Sequence, residues 1–187
     1  MTVPFEAPIT PLNRITVKLF NEVYYRTQRS GTPRSTQHYA PFFYPLDGIG
    51  HWNRLYGPRG LYQYQCVIPP KDSGSAIEEL VRQISKSGAG SFLAVLKTLG
   101  PIRSRGLISF PREGATLALD FANRGDSTLA LLARLDRVVV EAGGALYAAK
   151  DGRVPKEVFR AGYPLFDAFR ELVDPAISSD FWRRVNA

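Results

Sequence analysis

The sequence is poor in the residues on which several whole classes of chemistry depend. Cys66 is the only cysteine among 187 residues. One thiol excludes an internal disulfide framework and a cysteine-based zinc site, and it fits a cytosolic setting. The only histidines are His38 and His51, too few for a multi-histidine metal centre, and neither sits in a recognisable Ser-His-Asp pattern. No uncharged apolar stretch approaches the ~18 residues needed to cross a bilayer. The opening MTVPFEAPITPLNR has no charged start followed by an apolar run, so it does not read as a secretory signal. A soluble protein is expected, with peripheral membrane contact left open. No glycine-rich phosphate loop joins a strand to a helix, as a dinucleotide-binding fold would require.

What is present suffices for one domain with a real core. Hydrophobic residues make up 44% of the chain, which argues against wholesale disorder, and the length fits a single domain over residues 1–187. Lys plus Arg number 24 against 17 for Asp plus Glu, so phosphorylated ligands or acidic lipid surfaces are favoured partners. The excess is not gathered into one basic run and no RNP-like motif occurs, so no nucleic acid is expected.

Periodicity places four helical stretches. Thr10 can cap a helix that starts at Pro11, with Leu12, Ile15, Leu19, Phe20 and Val23 on one face. Residues 73–86 carry Ile77, Leu80, Val81 and Ile84 at helical spacing. Asp126 or Ser127 can cap a third helix with a Leu129, Leu132, Leu135, Val139 stripe that Gly143 and Gly144 stop. A fourth over 154–172 should break near Gly162-Tyr163-Pro164. Strands are expected at 61–68, 91–99, 115–121 and 145–149, with a short extra piece at 108–110. The alternation admits a parallel sheet, but the missing phosphate loop favours an α+β fold, a mainly antiparallel sheet flanked by helices. A long Pro/Gly-rich loop spans about 30–60, and such loops often carry function.

Three constellations could carry chemistry. The loop segment APFFYPLDGIGHWNRLYGPRGLYQYQ gathers aromatics with Asn53 and Arg54, which suits either a ring- or sugar-binding cleft or a satellite core anchored by Trp52. In the strand LYQYQCVI, Gln63 and Gln65 share one face, while Tyr62, Tyr64, Cys66 and Ile68 share the other. Lys97 lies on one face of its strand, Thr116, Ala118 and Asp120 on one face of theirs, and Lys150 follows Tyr147 at a strand end. If these faces coincide, two amides and two ammonium groups converge on a ligand; otherwise the lysines simply face water. The tail VDPAISSDFWRRV offers Asp180 with Arg183 and Arg184, either as a cap and ion-pair arrangement or as a basic lipid-facing patch. Cys66 reads as a buried, inert thiol.

The ordered stretches FFYPLDGIGHWNRLYGPRGLYQYQCVIP, SFLAVLKTLGP, LALDF, LDRVVVEAGGALYAAKD and VDPAISSDFWRR resemble the C-terminal region of FAD-linked oxidases of the vanillyl-alcohol oxidase type, in particular the decaprenylphosphoryl-ribose oxidase group. The resemblance implies a substrate or cap domain that roofs the flavin, with the FAD held by a flavin-binding domain or subunit that has no counterpart here. It implies hydride transfer from a sugar-like or polyol alcohol, phosphate- or lipid-linked substrates included. Lys150 matches a lysine beside flavin and substrate, and Gln65 and Lys97 match pocket residues, with Gln63 a companion and Gln65 also facing the flavin. Tyr147 and Tyr62 match less firmly. Where mycobacterial ribose oxidases have a cysteine, an asparagine, an aromatic and a tyrosine, this chain has Ala118, Thr116, Leu99 and Phe43. These departures bear on the substrate, not on the reaction class. The alternative is a non-catalytic, degenerate cap used for binding or subunit assembly. Homo-oligomerisation is left open.

Overall fold

The computed structural model describes residues 2–5, 14–29, 36, 38–44, 47–91 and 93–187. Its centre is a four-stranded antiparallel sheet built from β1 (Leu61–Ile68), β2 (Ala94–Leu99), β3 (Gly114–Ala122) and β4 (Ala145–Leu146), in the order β2-β3-β1-β4. The expected α+β class is the one observed. The helices are α1 (Arg14–Arg29), α2 (Tyr39–Phe43), α3 (Ser73–Ser87), α4 (Asp126–Glu141), α5 (Lys156–Gly162), α6 (Phe166–Arg170) and α7 (Asp180–Asn186).

Strict alternation in β1 decides the two sides of the sheet. Tyr64, Cys66 and Ile68 pack with Leu117, Leu119 and Phe121 of β3 against Leu80 and Ile84 of α3 and Leu131, Leu132, Leu135 and Val139 of α4. Burying one such Leu fully is worth about 1.5–3 kcal/mol, so this single seam supplies much of the driving force. Three residues of the expected α4 stripe, Leu132, Leu135 and Val139, are sealed as read; the fourth, Leu129, is only half-buried, and Leu131 takes the buried place instead. Gly143 ends the segment with φ +65, a conformation glycine adopts without strain.

Beyond β4 an aromatic cluster locks the C-terminal helices to the domain. Phe159 stacks on Tyr163 with centroids 4.5 Å apart and meets Phe166 and Phe181 edge-on. The break at residues 162–164 falls where the sequence places it, between α5 and α6.

Several expectations need correcting. Residues 108–110 form a turn and coil rather than a strand, and Phe110 instead stacks on Tyr147 at 4.5 Å. The strand expected at 145–149 stops after Leu146; a 3-10 turn, Ala148–Lys150, closes through the Lys150 N–H donating to the Tyr147 carbonyl at 3.0 Å. The α1 stripe does not face the core: Ile15, Leu19, Phe20 and Val23 are exposed, and among the described side chains of that helix Val17 is the buried one. Thr10, Pro11 and Leu12 lie outside the described residues. Gly125, not Asp126 or Ser127, holds the cap position of α4, and the Thr128 hydroxyl accepts from the Arg124 N–H at 2.9 Å. In the loop at 30–60, the described residues fold into α2 and a 3-10 turn, Trp52–Tyr56. There Trp52 packs on a small second core of Val17, Tyr56 and Ala122, and Arg54 donates to the carbonyls of Val3 and Pro4. That segment therefore behaves as the satellite-core alternative.

Candidate functional site

Antiparallel register brings the predicted polar face together. Gln63 lies opposite Asp120 and Gln65 opposite Ala118 across β1–β3. Val95 lies opposite Ala118 and Lys97 opposite Thr116 across β3–β2. Directly opposed residues share a face, so Gln63, Gln65, Lys97, Thr116, Ala118 and Asp120 all stand on the side away from α3 and α4. Lys150 reaches the same side from the 3-10 turn. These seven, with Leu93 and Val95, line one open cavity of about 170 Å³.

The hydrogen bonds assign the orientation of the Gln63 amide. Lys150 Nζ donates to Gln63 Oε1 at 2.9 Å, and Gln63 Nε2 donates to Asp120 Oδ1 at 3.2 Å. An ammonium only donates and a carboxylate only accepts, so the Gln63 amide is fixed at both ends. Gln65 Nε2 donates to Thr116 Oγ1 at 3.2 Å. The site thus combines amide oxygens, which take hydroxyl donors, with two ammonium groups, which take anionic or electron-rich acceptors.

Lys150 is exposed, yet the backbone that carries it is clamped. Tyr147 N–H donates to the Gln65 carbonyl at 2.9 Å, which splices the turn to β1. On the far side, Asp151 Oδ1 accepts from the Arg153 and Val154 N–H groups at 2.9 and 2.6 Å, and its other oxygen accepts from Arg184. Arg153 in turn makes a two-pronged ion pair with Asp136 of α4, at 2.6 and 2.8 Å. Burial pulls the Arg153 guanidinium down, but the Asp136 carboxylate outweighs it and holds the group above its ordinary value. The Tyr64 hydroxyl lies buried beside Asp136, and desolvation pushes it well above the usual phenol range.

Not every predicted site residue arrives. Tyr147 lines a narrow cleft that shares Gln63, Gln65 and Lys150 with the cavity, and Tyr62 lines the same cleft. Phe43 is on α2, exposed, in ring contact with Phe42 and Tyr44, and is not among the residues lining the cavity. Leu99 pairs with Gly114 at the end of β2 and does not line it either. In the tail, Ser179 rather than Asp180 caps α7, Asp180 pairs with Arg183, and Arg184 is committed to Asp151 and the Val154 carbonyl. That arrangement is structural. Cys66 is fully buried, and desolvation pushes its thiol up to about 12.

Asp120 is the residue that sequence reasoning undervalued. Its side chain is 2% exposed, and burial raises its carboxyl above the ordinary aspartate range, against the Gln63 hydrogen bond and the Lys150 charge. Its parity was legible in LALDF; the lone charged group within an apolar strand was the available signal. Among the described residues, no cluster of His, Cys, Asp and Glu could hold a metal ion, and no helix is long and apolar enough to cross a membrane.

Fold and site together define a two-layer α+β domain with one sheet face sealed by helices and the other open as a polar, ammonium-bearing cavity. The chain is similar along nearly its whole length to part of an oxidase. It is 39% identical over 194 residues to decaprenylphosphoryl-beta-D-ribose oxidase of Mycolicibacterium smegmatis, which covers 99% of this chain and 40% of the oxidase. It is 36% identical over 191 residues to a Streptomyces coelicolor protein described as "Uncharacterized protein in mprA 5'region", covering 98% of this chain and 50% of that protein. The chain therefore spans half or less of the length of these relatives. The similarity to the decaprenylphosphoryl-ribose oxidase group read from the five sequence stretches extends over the chain. No family model matches the chain.

Proposed function

We propose that this domain is the substrate-side part of an FAD-dependent oxidoreductase that oxidises a sugar-like or polyol alcohol, phosphate- or lipid-linked alcohols included. The flavin is held mainly by a flavin-binding domain outside these 187 residues. The observation that carries the reading is the meeting of Gln63, Gln65, Lys97 and Lys150 on one sheet face around one open cavity. The name of the Mycolicibacterium smegmatis relative supports the reaction class.

The donor set fits a flavin edge. Lys150 is exposed and spends one hydrogen bond on Gln63 among the described residues, so its ammonium keeps donors for an electron-rich ring or an alcohol oxygen. FAD, when bound, would supply the hydride acceptor. The chain's own residues do the rest. The Gln63 and Gln65 carbonyls accept hydroxyl protons and set the alcohol's orientation. Lys150 places positive charge where negative charge develops. Lys97, opposite the Thr116 whose hydroxyl meets the Gln65 amide, suits a phosphate or a further hydroxyl. Ala118 and Thr116 shape the floor, and their small size makes room for a ligand other than that of a cysteine- and asparagine-floored site. The exposed apolar side chains of α1, with Tyr39, Phe42 and Phe43 of α2, suit burial against a partner domain.

Co-expression with a flavin-binding domain tests the reading. The complex should be yellow, and a panel of sugars and polyols should bleach it anaerobically, whereas the chain alone should be colourless and inactive. Turnover of an alcohol by the chain alone, or a complex whose flavin no polyol reduces, contradicts the proposal.

A further inference from the structure

We infer that Asp120 is a positioning residue of this site: buried beneath the cavity, it fixes the Gln63 amide so that the amide oxygen holds the Lys150 ammonium. The inference deepens the reading of the site given above and rests on it for its catalytic consequence, though not for its geometry.

Three observations carry it. The chain of contacts is continuous, Lys150 Nζ to Gln63 Oε1 at 2.9 Å and Gln63 Nε2 to Asp120 Oδ1 at 3.2 Å. Asp120 is 2% exposed, and its Oδ2 has no hydrogen-bond partner among the described residues. A buried carboxylate oxygen without a partner costs free energy. Finally, the acceptor-only character of a carboxylate is what the arrangement uses. An asparagine in its place no longer enforces that choice, since it can offer Gln63 its NH2 as well as its oxygen. The Gln63 amide could then turn over, presenting its own NH2 to Lys150, donor against donor. The backbone N–H of Asp120 donates to Ser91 Oγ at 3.1 Å, so the strand is held while the side chain is free to act on Gln63. The groups facing Asp120 are Gln63 from β1, Lys150 from the 3-10 turn and Tyr56 from the Trp52–Tyr56 turn.

The test is a polarity swap with rescue. Asp120→Asn should release Lys150, whereas Asp120→Asn with Gln63→Glu should recapture it, because the carboxylate introduced on β1 accepts from both neighbours. In the full 187-residue chain with 15N-labelled lysine, the Lys150 ammonium resonance, assigned by its loss in Lys150→Arg, should be sharp in the native protein. It should broaden into exchange with water in Asp120→Asn and return in the double variant. In the flavin-reconstituted complex, kcat should fall roughly tenfold to a hundredfold in Asp120→Asn, the worth of a hydrogen bond to a charged group, and recover in the double variant with KM little changed. Absence of turnover in the native complex would fail the functional reading while the resonance still decides the role of Asp120. Thermal melts report folding. A Lys150 resonance unchanged in Asp120→Asn, or a folded double variant no better than the single one, overturns the inference. So does failure of the single and double variants alike to fold, because the role of Asp120 is then structural. A single variant that does not fold beside a double variant that does, with the resonance present, upholds it.

Discussion

Replacing Asp136 by alanine should be among the most damaging single changes in the molecule. The carboxylate is 2% exposed and the Arg153 guanidinium 16%, and two contacts of 2.6 and 2.8 Å join them. Removing one member of such a pair leaves a buried, unpaired charge, which costs about 3–5 kcal/mol. Against a total stability of about 5–15 kcal/mol, that is about a fifth or more of what holds the domain together. Replacing both members, Asp136→Leu with Arg153→Met, removes the orphan and should cost less than half as much. Urea melts read this as a shift in midpoint at constant slope. The loss should also be felt at the site, because Arg153 follows Lys150 by three residues and shares its clamp with Asp151. Amide exchange at Lys150 and Asp151 should therefore quicken in Asp136→Ala beyond the change in global stability. A cost below about 1 kcal/mol would show that solvent reaches the pair and would refute this account of the clamp.

Stability should depend on pH through Asp120. Its carboxyl is raised by burial, so the native state holds a proton more tightly than the unfolded chain, and ionisation disfavours the fold. As pH falls from neutral through the raised value towards the ordinary aspartate range, the native protein should gain stability relative to Asp120→Asn; urea melts at a series of pH values check this, and a flat or opposite difference contradicts it. Cys66, with its thiol pushed up to about 12, should resist iodoacetamide in the native protein at about pH 8 and react once unfolded. Gly114 has φ +147, and a Cβ there would lie 2.0 Å from the Ile68 carbonyl oxygen. Gly114→Ala should therefore destabilise by more than about 2 kcal/mol in the same melts, by splaying the end of the β1–β3 ladder.

The parts of the fold legible in the sequence are those that local period alone determines. β1 carries an uninterrupted alternation, so its two faces, and with them the glutamines, could be assigned before pairing was known. α3 could be placed from its helical spacing, and the break between α5 and α6 from Gly162 and Pro164. The convergence of Gln63, Lys97 and Lys150 needed one further fact, the register, which spacing does not give. β4 ends at Leu146 and the chain turns through Ala148–Lys150 to an Asp151 that pairs with Arg184, 33 residues away; no local signal announces so distant a partner. The α1 stripe has helical period without a core to face, since amphipathicity states that a face is apolar but not what covers it. Asp120 was read as a member of a face rather than as its buried floor, because burial follows from packing around β3. Phe43 was carried over by resemblance, and the described structure sets it apart from the cavity.

The most direct measurement follows flavin reduction in the reconstituted complex, with rapid-scan absorbance, for the native chain and for Lys150→Ala and Gln65→Leu. If the cavity-bearing sheet face is the wall against which an alcohol meets the flavin, both variants should still assemble with the flavin domain yet slow bleaching by a polyol tenfold or more, about 1.4 kcal/mol of lost transition-state stabilisation. Bleaching at the native rate in both variants would contradict the account and place the chemistry away from this cavity.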